Sequence, residues 1–158
     1  MNRKPKRSKR KRRVIRVWTY PQAKSALPYI GAVMQSLREH WLDAQRHELR
    51  ARRLAEKRGR PDRATILAQE QETWEGQQAK ERFNEAYQEL QDIEVFCLDP
   101  NQGVGVIPFV HDEKLAWLIY DLFAGDELRH WRYHDDPLEM RRPIAEALEG
   151  PGDKALAV

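Results

Sequence analysis

Apolar residues recur early in the chain at steps of three and four: Leu27, Ile30, Met34, Leu37, Trp41 and Ala44. That spacing lines them along one face of a helix and predicts a long amphipathic segment. Thr19, three residues before Gln22, predicts a capping box, with Pro21 in the first turn where its missing N–H costs little. Pro28 inside the pattern predicts a kink in the first two turns. Gly59-Arg60-Pro61-Asp62 reads as a stop, a turn and a new N-cap at Asp62. A second helix is predicted from about Arg63 to Gln91, with Ala79, Phe83, Ala86, Leu90 and Ile93 as its apolar stripe and Leu67 and Trp74 as earlier, isolated anchors. Two long helices joined by a short turn lie antiparallel, as an αα-hairpin. At about 1.5 Å per residue the first could reach about 55 Å. The shared core is expected at the base, where residues 27–44 meet 79–93.

Beyond Ile93 the period changes. Val95-Phe96-Cys97-Leu98 is a short apolar run closed by the turn-rich Asp99-Pro100-Asn101-Gln102-Gly103. Val104 to Val110 reads as a strand in which Pro108 demands an edge position or a bulge. His111-Asp112-Glu113 turns the chain into Leu115 to Phe123, and Ala124-Gly125-Asp126 turns it again into Leu128 to His134. Short β-rich runs with short turns predict an antiparallel meander. The expected fold class is therefore α+β: a long antiparallel α-helical hairpin packed at its base on a small antiparallel β-meander.

Charge divides the chain differently. Of 28 Lys and Arg, ten fall within residues 1–16, which carry no acid; residues 17–158 then hold 18 basic against 25 acidic groups, a net −7. Such a dense basic arm repels itself, so residues 1–16 are expected to be disordered when free, followed by one domain over 17–144 and a flexible tail over 145–158. Within the predicted hairpin, residues 46–63 carry eight bases against three acids, and residues 70–94 eight acids against two bases. Antiparallel pairing sets the basic half of the first helix against Glu70, Glu72 and Glu75, an intramolecular charge seam that selects register.

Two segments resemble a known family. Trp18-Thr19, Ala23 and Leu27-Pro28 are similar to the opening, and Trp131, Asp135, Arg141, Pro143 and Ile144 to the closing motif, of a widespread family of small bacterial and archaeal proteins catalogued as domain of unknown function 2203. Arg132-Tyr133 stands where that family has His-Glu, and Pro21-Gln22 where it has an acidic pair. The resemblance spans roughly residues 17–144; it implies a fold and no activity, with Thr19, Leu27, Pro28, Trp131, Asp135, Arg141 and Pro143 as its structural motif.

The chemistry-bearing residues cluster late. In a strand, His130, Arg132 and His134 would share one face and Trp131, Tyr133 and Asp135 the other, the first set reading as a solvated polar face. Two histidines four apart on a strand are about 13 Å apart, too far to chelate one ion. Asp135 and Arg141, six apart across a proline-containing bend, suggest a bidentate clamp; an anion pocket built from Arg141 and Arg142, general acid–base catalysis by Asp135 or Asp136, and an enzyme site around Tyr133, Asp135 and Arg141 are the alternatives. His40 and His47, seven apart on the first helix, join a ligand set only by meeting a partner helix. No P-loop, nucleophile elbow or zinc-ligand spacing occurs, so no catalytic residue, metal or cofactor is expected.

No run of about 18 apolar residues occurs, no apolar h-region follows the basic N-terminus, and the single Cys97 forms no internal disulfide. A cytoplasmic protein without a transmembrane segment is expected. The expected function is that of a non-enzymatic interaction module. Arg3, Lys4, Lys6, Arg7, Lys9, Arg10, Lys11, Arg12 and Arg13 would bind nucleic-acid phosphates without sequence reading. The alternatives are a homo-oligomeric scaffold built from the helical hairpin and an enzyme of unknown reaction near Asp135/Arg141.

Overall fold

A computed structural model describes residues 14–148. Helix α1 spans Tyr20–Ala55; Thr19 caps it by accepting the Gln22 N–H, and the Gln22 side chain accepts the Thr19 N–H in return. Both halves of the predicted capping box are present, with Pro21 in the first turn. Pro28 lies within the helix on its exposed side. Gly59 takes a φ of +94° in the turn, and the Asp62 carboxylate caps helix α2 (Arg63–Asp92) through the Thr65 N–H at 2.8 Å.

The buried stripe of α1 is Ala23, Leu27, Ile30, Val33, Met34, Leu37 and Ala44; that of α2 is Gly76, Ala79, Ala86 and Leu90. The two helices pack along one another, and the shared core sits at the base as the spacing predicts. Leu67 and Trp74 do not anchor the outer half: they are 53% and 59% exposed. The reason is angular. The less exposed row of α2 runs through Thr65, Gln69, Glu72, Gly76 and Ala79, and Leu67 and Trp74, each two positions off that row, turn outward.

The chain then forms a five-stranded antiparallel meander in sequential order: β1 (Phe96–Asp99), β2 (Val104–His111), β3 (Lys114–Asp121), β4 (His130–Tyr133) and β5 (Arg142–Pro143). Strand β3 ends two residues before the predicted limit because the Asp121 carboxylate accepts the Phe123 N–H and starts a 3-10 turn over Leu122–Ala124. Asp112 and Glu113, both at positive φ (49° and 60°), make the two-residue turn between β2 and β3, matching the right-handed twist of the strands. A short helix, α3 (Ile144–Leu148), buries Ala147.

Ile107, Phe109, Ala116, Leu118, Tyr120 and Trp131 form the sheet face that packs on Leu27, Ile30, Met34, Leu37 and Leu90. Gly105 permits the closest approach: a Cβ there would stand 2.9 Å from Met34 Cε. Pro108 has the edge position its chemistry requires. Pairing with β1 ends at Val106, and beyond it the Pro108 carbonyl accepts the Trp18 N–H at 2.8 Å, Trp18 and Phe109 forming a parallel bridge.

Candidate functional site

Strand β4 brings the densest polar chemistry of the fold to one end of the sheet. Trp131 pairs with Leu118 and Tyr133 with Ala116, which turns both rings to the helix-facing side. His111, the last residue of β2, lies on the same side, its ring centroid 4.6 Å from that of Trp131. Its Nδ1 is 2.8 Å from the Tyr133 hydroxyl, which stands 3.4 Å from Asp112 Oδ2. Burial, and then the Asp112 carboxylate, raise the Tyr133 phenol above its ordinary range, so it remains protonated at neutral pH. His111 is only 8% exposed and its Nε2 finds no hydrogen-bond partner among the described residues.

Beside this pair lies a two-pronged ion pair. Arg142 Nε and Nη2 reach the two oxygens of Asp136 at 2.7 and 3.0 Å, and Asp136 Oδ2 also accepts the Tyr133 N–H at 2.8 Å. The guanidinium lies 4.9 Å from the Tyr133 ring centroid and 5.6 Å from that of Trp131, while Lys114 Nζ lies 5.7 Å from Tyr133. The Arg142 hydrogen bonds, helped by the Tyr133 N–H, hold the Asp136 carboxyl down to about 2.

The clamp is thus one residue along from the expected Asp135–Arg141 pair. Strand β4 stops at Tyr133, and residues 134–136 fold back so that the Asp136 N–H reaches the Tyr133 carbonyl at 3.1 Å. This fold-back aims residue 136 at β5 and leaves Asp135 exposed. The Arg141 guanidinium donates instead to the carbonyls of Leu138 and Met140 at 2.8 and 3.0 Å, and borders a cavity of about 200 Å³ with Val104, Ile119, Arg129 and His130. Arg141 and Arg142 therefore do not converge on one pocket, and Tyr133, Asp135 and Arg141 are not assembled. Nor is Arg132 part of a solvated face. It is 6% exposed beside Trp117, whose indole N–H donates to His134 at 3.1 Å; His130 and His134 are exposed.

The motif residues at the two ends of the domain do joining work. Trp18 donates its indole N–H to the Ile93 carbonyl, fixing the start of α1 to the end of α2, and Trp131 donates its own to Pro143. The opening and closing segments meet through Phe109, bridged to Trp18 and edge-on to Trp131 at 5.8 Å. Leu27 is core, Thr19 is the cap, Pro28 is exposed, and Pro143 belongs to β5. Arg3, Lys4, Lys6, Arg7, Lys9, Arg10, Lys11, Arg12 and Arg13 lie outside the described residues. Sequence reasoning missed the pairing of Asp136 with Arg142 and the depth of His111; the signal available for the latter was its place at a turn beside an alternating Trp-x-Tyr strand.

The charge seam of the hairpin is one layer deep. His47 meets Glu72 and Glu75, Arg50 lies 3.9 Å from Glu72, and Glu70 is exposed. Arg46 and Arg52 pair within α1, with Asp43 and Glu48. Further out, Arg53, Lys57, Arg58, Arg60 and Arg63 outnumber Glu56 and Asp62, the latter held below its usual range by its Thr65 hydrogen bonds and in part by Lys57, so the tip of the hairpin is net cationic. No described helix is long and apolar enough to cross a membrane. No curated protein and no solved structure gives a significant match to the chain. The model of one family, described as an uncharacterized conserved protein (DUF2203), covers residues 16–144, consistent with both end motifs, and the chain belongs to that family.

Proposed function

We propose that this protein is a non-enzymatic, cytoplasmic interaction module whose basic N-terminal arm binds nucleic-acid phosphates without reading sequence. The observation that carries this reading is the partition of charge: ten cations in 16 residues against −7 on the rest of the chain. The cations of the sheet end support it by contrast, since Arg142 is committed to Asp136 and Arg141 to two backbone carbonyls. The arginines and Lys57 at the hairpin tip add a second, weaker cationic surface. Residues 1–16 contain no aromatic ring, so base stacking contributes nothing there.

Fluorescence anisotropy with a duplex DNA and a structured RNA tests this reading, using the full chain and a variant with Arg3 through Arg13 neutralised to serine at each basic position. Binding should weaken steeply with salt, by up to about nine decades of affinity per decade of salt if all ten cations engage phosphate, and should be lost in the neutralised variant. Binding that survives neutralisation would move the site to the folded body.

A second reading, a self-associating scaffold, is favoured by the exposed Leu49, Ile66, Leu67 and Trp74 on the outer half of the hairpin. Sedimentation equilibrium decides it: a mass independent of concentration would exclude pairing of hairpins into a bundle.

A further inference from the structure

Halfway along the hairpin, His47 of α1 lies against two carboxylates of α2. Its Nδ1 is 2.5 Å from Glu72 Oε2 and 3.4 Å from Glu75 Oε2. Glu72 and Glu75 are three residues apart, so both project from one face of α2. Gly76 follows them and is buried; a Cβ on it would lie 3.4 Å from the His47 Cβ. A glycine inside a helix is less stable than an alanine, and here the missing side chain lets the two helices close around His47.

The outer oxygen of each carboxylate is already oriented. Glu72 Oε1 faces Arg50 Nη1 at 3.9 Å, and Glu75 Oε1 accepts from Gln71 Nε2 at 2.9 Å. Both inner oxygens turn towards the same imidazole nitrogen, and the three donor atoms lie within 4.8 Å of one another. An imidazole N–H carries one hydrogen and satisfies one carboxylate. A His47–Glu72 pair therefore accounts for Glu72 and leaves Glu75 turned towards another carboxylate, an arrangement that like-charge repulsion opposes and a cation relieves. The three side chains are 18%, 20% and 39% exposed, sheltered enough to hold an ion and open enough for water to complete its shell.

We propose that His47, Glu72 and Glu75 form a binding site for a first-row divalent cation, which cross-links the two helices at the middle of the hairpin. One nitrogen and two oxygens suit zinc or its neighbours better than magnesium, which prefers an all-oxygen shell. Arg50 and Gln71 act as positioning residues, each fixing the carboxylate that it touches. Ligation uses the neutral Nε2–H tautomer of His47, which leaves the Nδ1 lone pair facing the ion.

The test is calorimetric titration of the metal-free full chain with Zn²⁺, with Mg²⁺ for comparison and Co²⁺ absorption as a reporter of nitrogen–oxygen ligation. One saturable equivalent of Zn²⁺ is expected, with Mg²⁺ weaker and a Co²⁺ spectrum that Zn²⁺ abolishes. His47→Leu and Glu75→Gln should each weaken Zn²⁺ binding at least about tenfold. Glu75→Gln preserves the His47–Glu72 pair, so it separates a ligand from a merely structural partner, and it decides alone if circular dichroism shows that His47→Leu has not folded. Absence of a saturable equivalent, or Zn²⁺ binding unchanged in Glu75→Gln, overturns the proposal.

Discussion

The pair Asp136–Arg142 gives the acid response of this protein a local component. Its folded carboxyl titrates at about 2, below the ordinary value, so the pairing stabilises the fold fully above about pH 4 and is lost as the pH falls towards 2. In Asp136→Asn that contribution is absent at every pH. The urea midpoint of the parent should therefore fall more between about pH 4 and 2 than that of the variant; parallel curves would place the acid sensitivity elsewhere. Cys97 gives a second residue-scale test. Burial, reinforced by the Asp99 carboxylate, pushes its thiol up to about 11, so it stays protonated near neutrality. Its reaction with an aromatic disulfide at pH 8 should run at least about tenfold slower than that of a free cysteine and recover in urea. At this scale the sequence was only partly legible. An acid–arginine clamp across the proline bend was expected from spacing, and a clamp is there, but the partners depend on where β4 ends. One extra residue in the fold-back exchanges Asp135 for Asp136, and nothing in the alternation of side chains records where hydrogen bonding to β3 stops.

Whole elements were more legible, because caps and periods are local. Thr19 with Gln22 and Asp62 with Thr65 mark the helix starts by chemistry that needs no tertiary context. The turn at Asp112-Glu113 and the edge position of Pro108 follow equally from backbone constraints. Leu67 and Trp74 misled because hydrophobicity reports what a residue tolerates, whereas the face of α2 is set by the row Thr65, Gln69, Glu72, Gly76 and Ala79, from which both stand two positions away. Geometry rules equally where helix meets sheet. An added methyl at Gly105 would lie 2.9 Å from Met34 Cε and 3.1 Å from the Phe96 carbonyl oxygen, and the latter belongs to a paired strand that cannot yield. Gly105→Ala should lower the unfolding free energy by about 1–3 kcal/mol, measured by urea denaturation. A variant as stable as the parent would show that α1 can lift from the sheet without loss.

Across the whole molecule, stabilising contacts are unevenly spread. The base of the hairpin shares a continuous apolar core with the sheet, while the outer half relies on alanines, a glycine and one layer of charge. What joins the opening of the domain to the rest is Trp18, hydrogen-bonded to Ile93 and bridged to β2. Seventy-five residues separate Trp18 from Ile93, and closing so long a loop costs entropy that only a nearly finished fold can offset. The Trp18 clasp is therefore expected to be a late event in time, set after hairpin and meander have met. Trp18→Phe, which removes the indole N–H, should cost about 1 kcal/mol, and that cost should fall on the unfolding arm of the chevron as a rate increase of about fivefold. Equal slowing of refolding would show that the clasp is already made in the transition state. A late clasp has a consequence for any ligand held by the basic arm: tension on the arm is borne first by the contact that forms last, so load and loss of grip meet at the root of the arm before they reach the core.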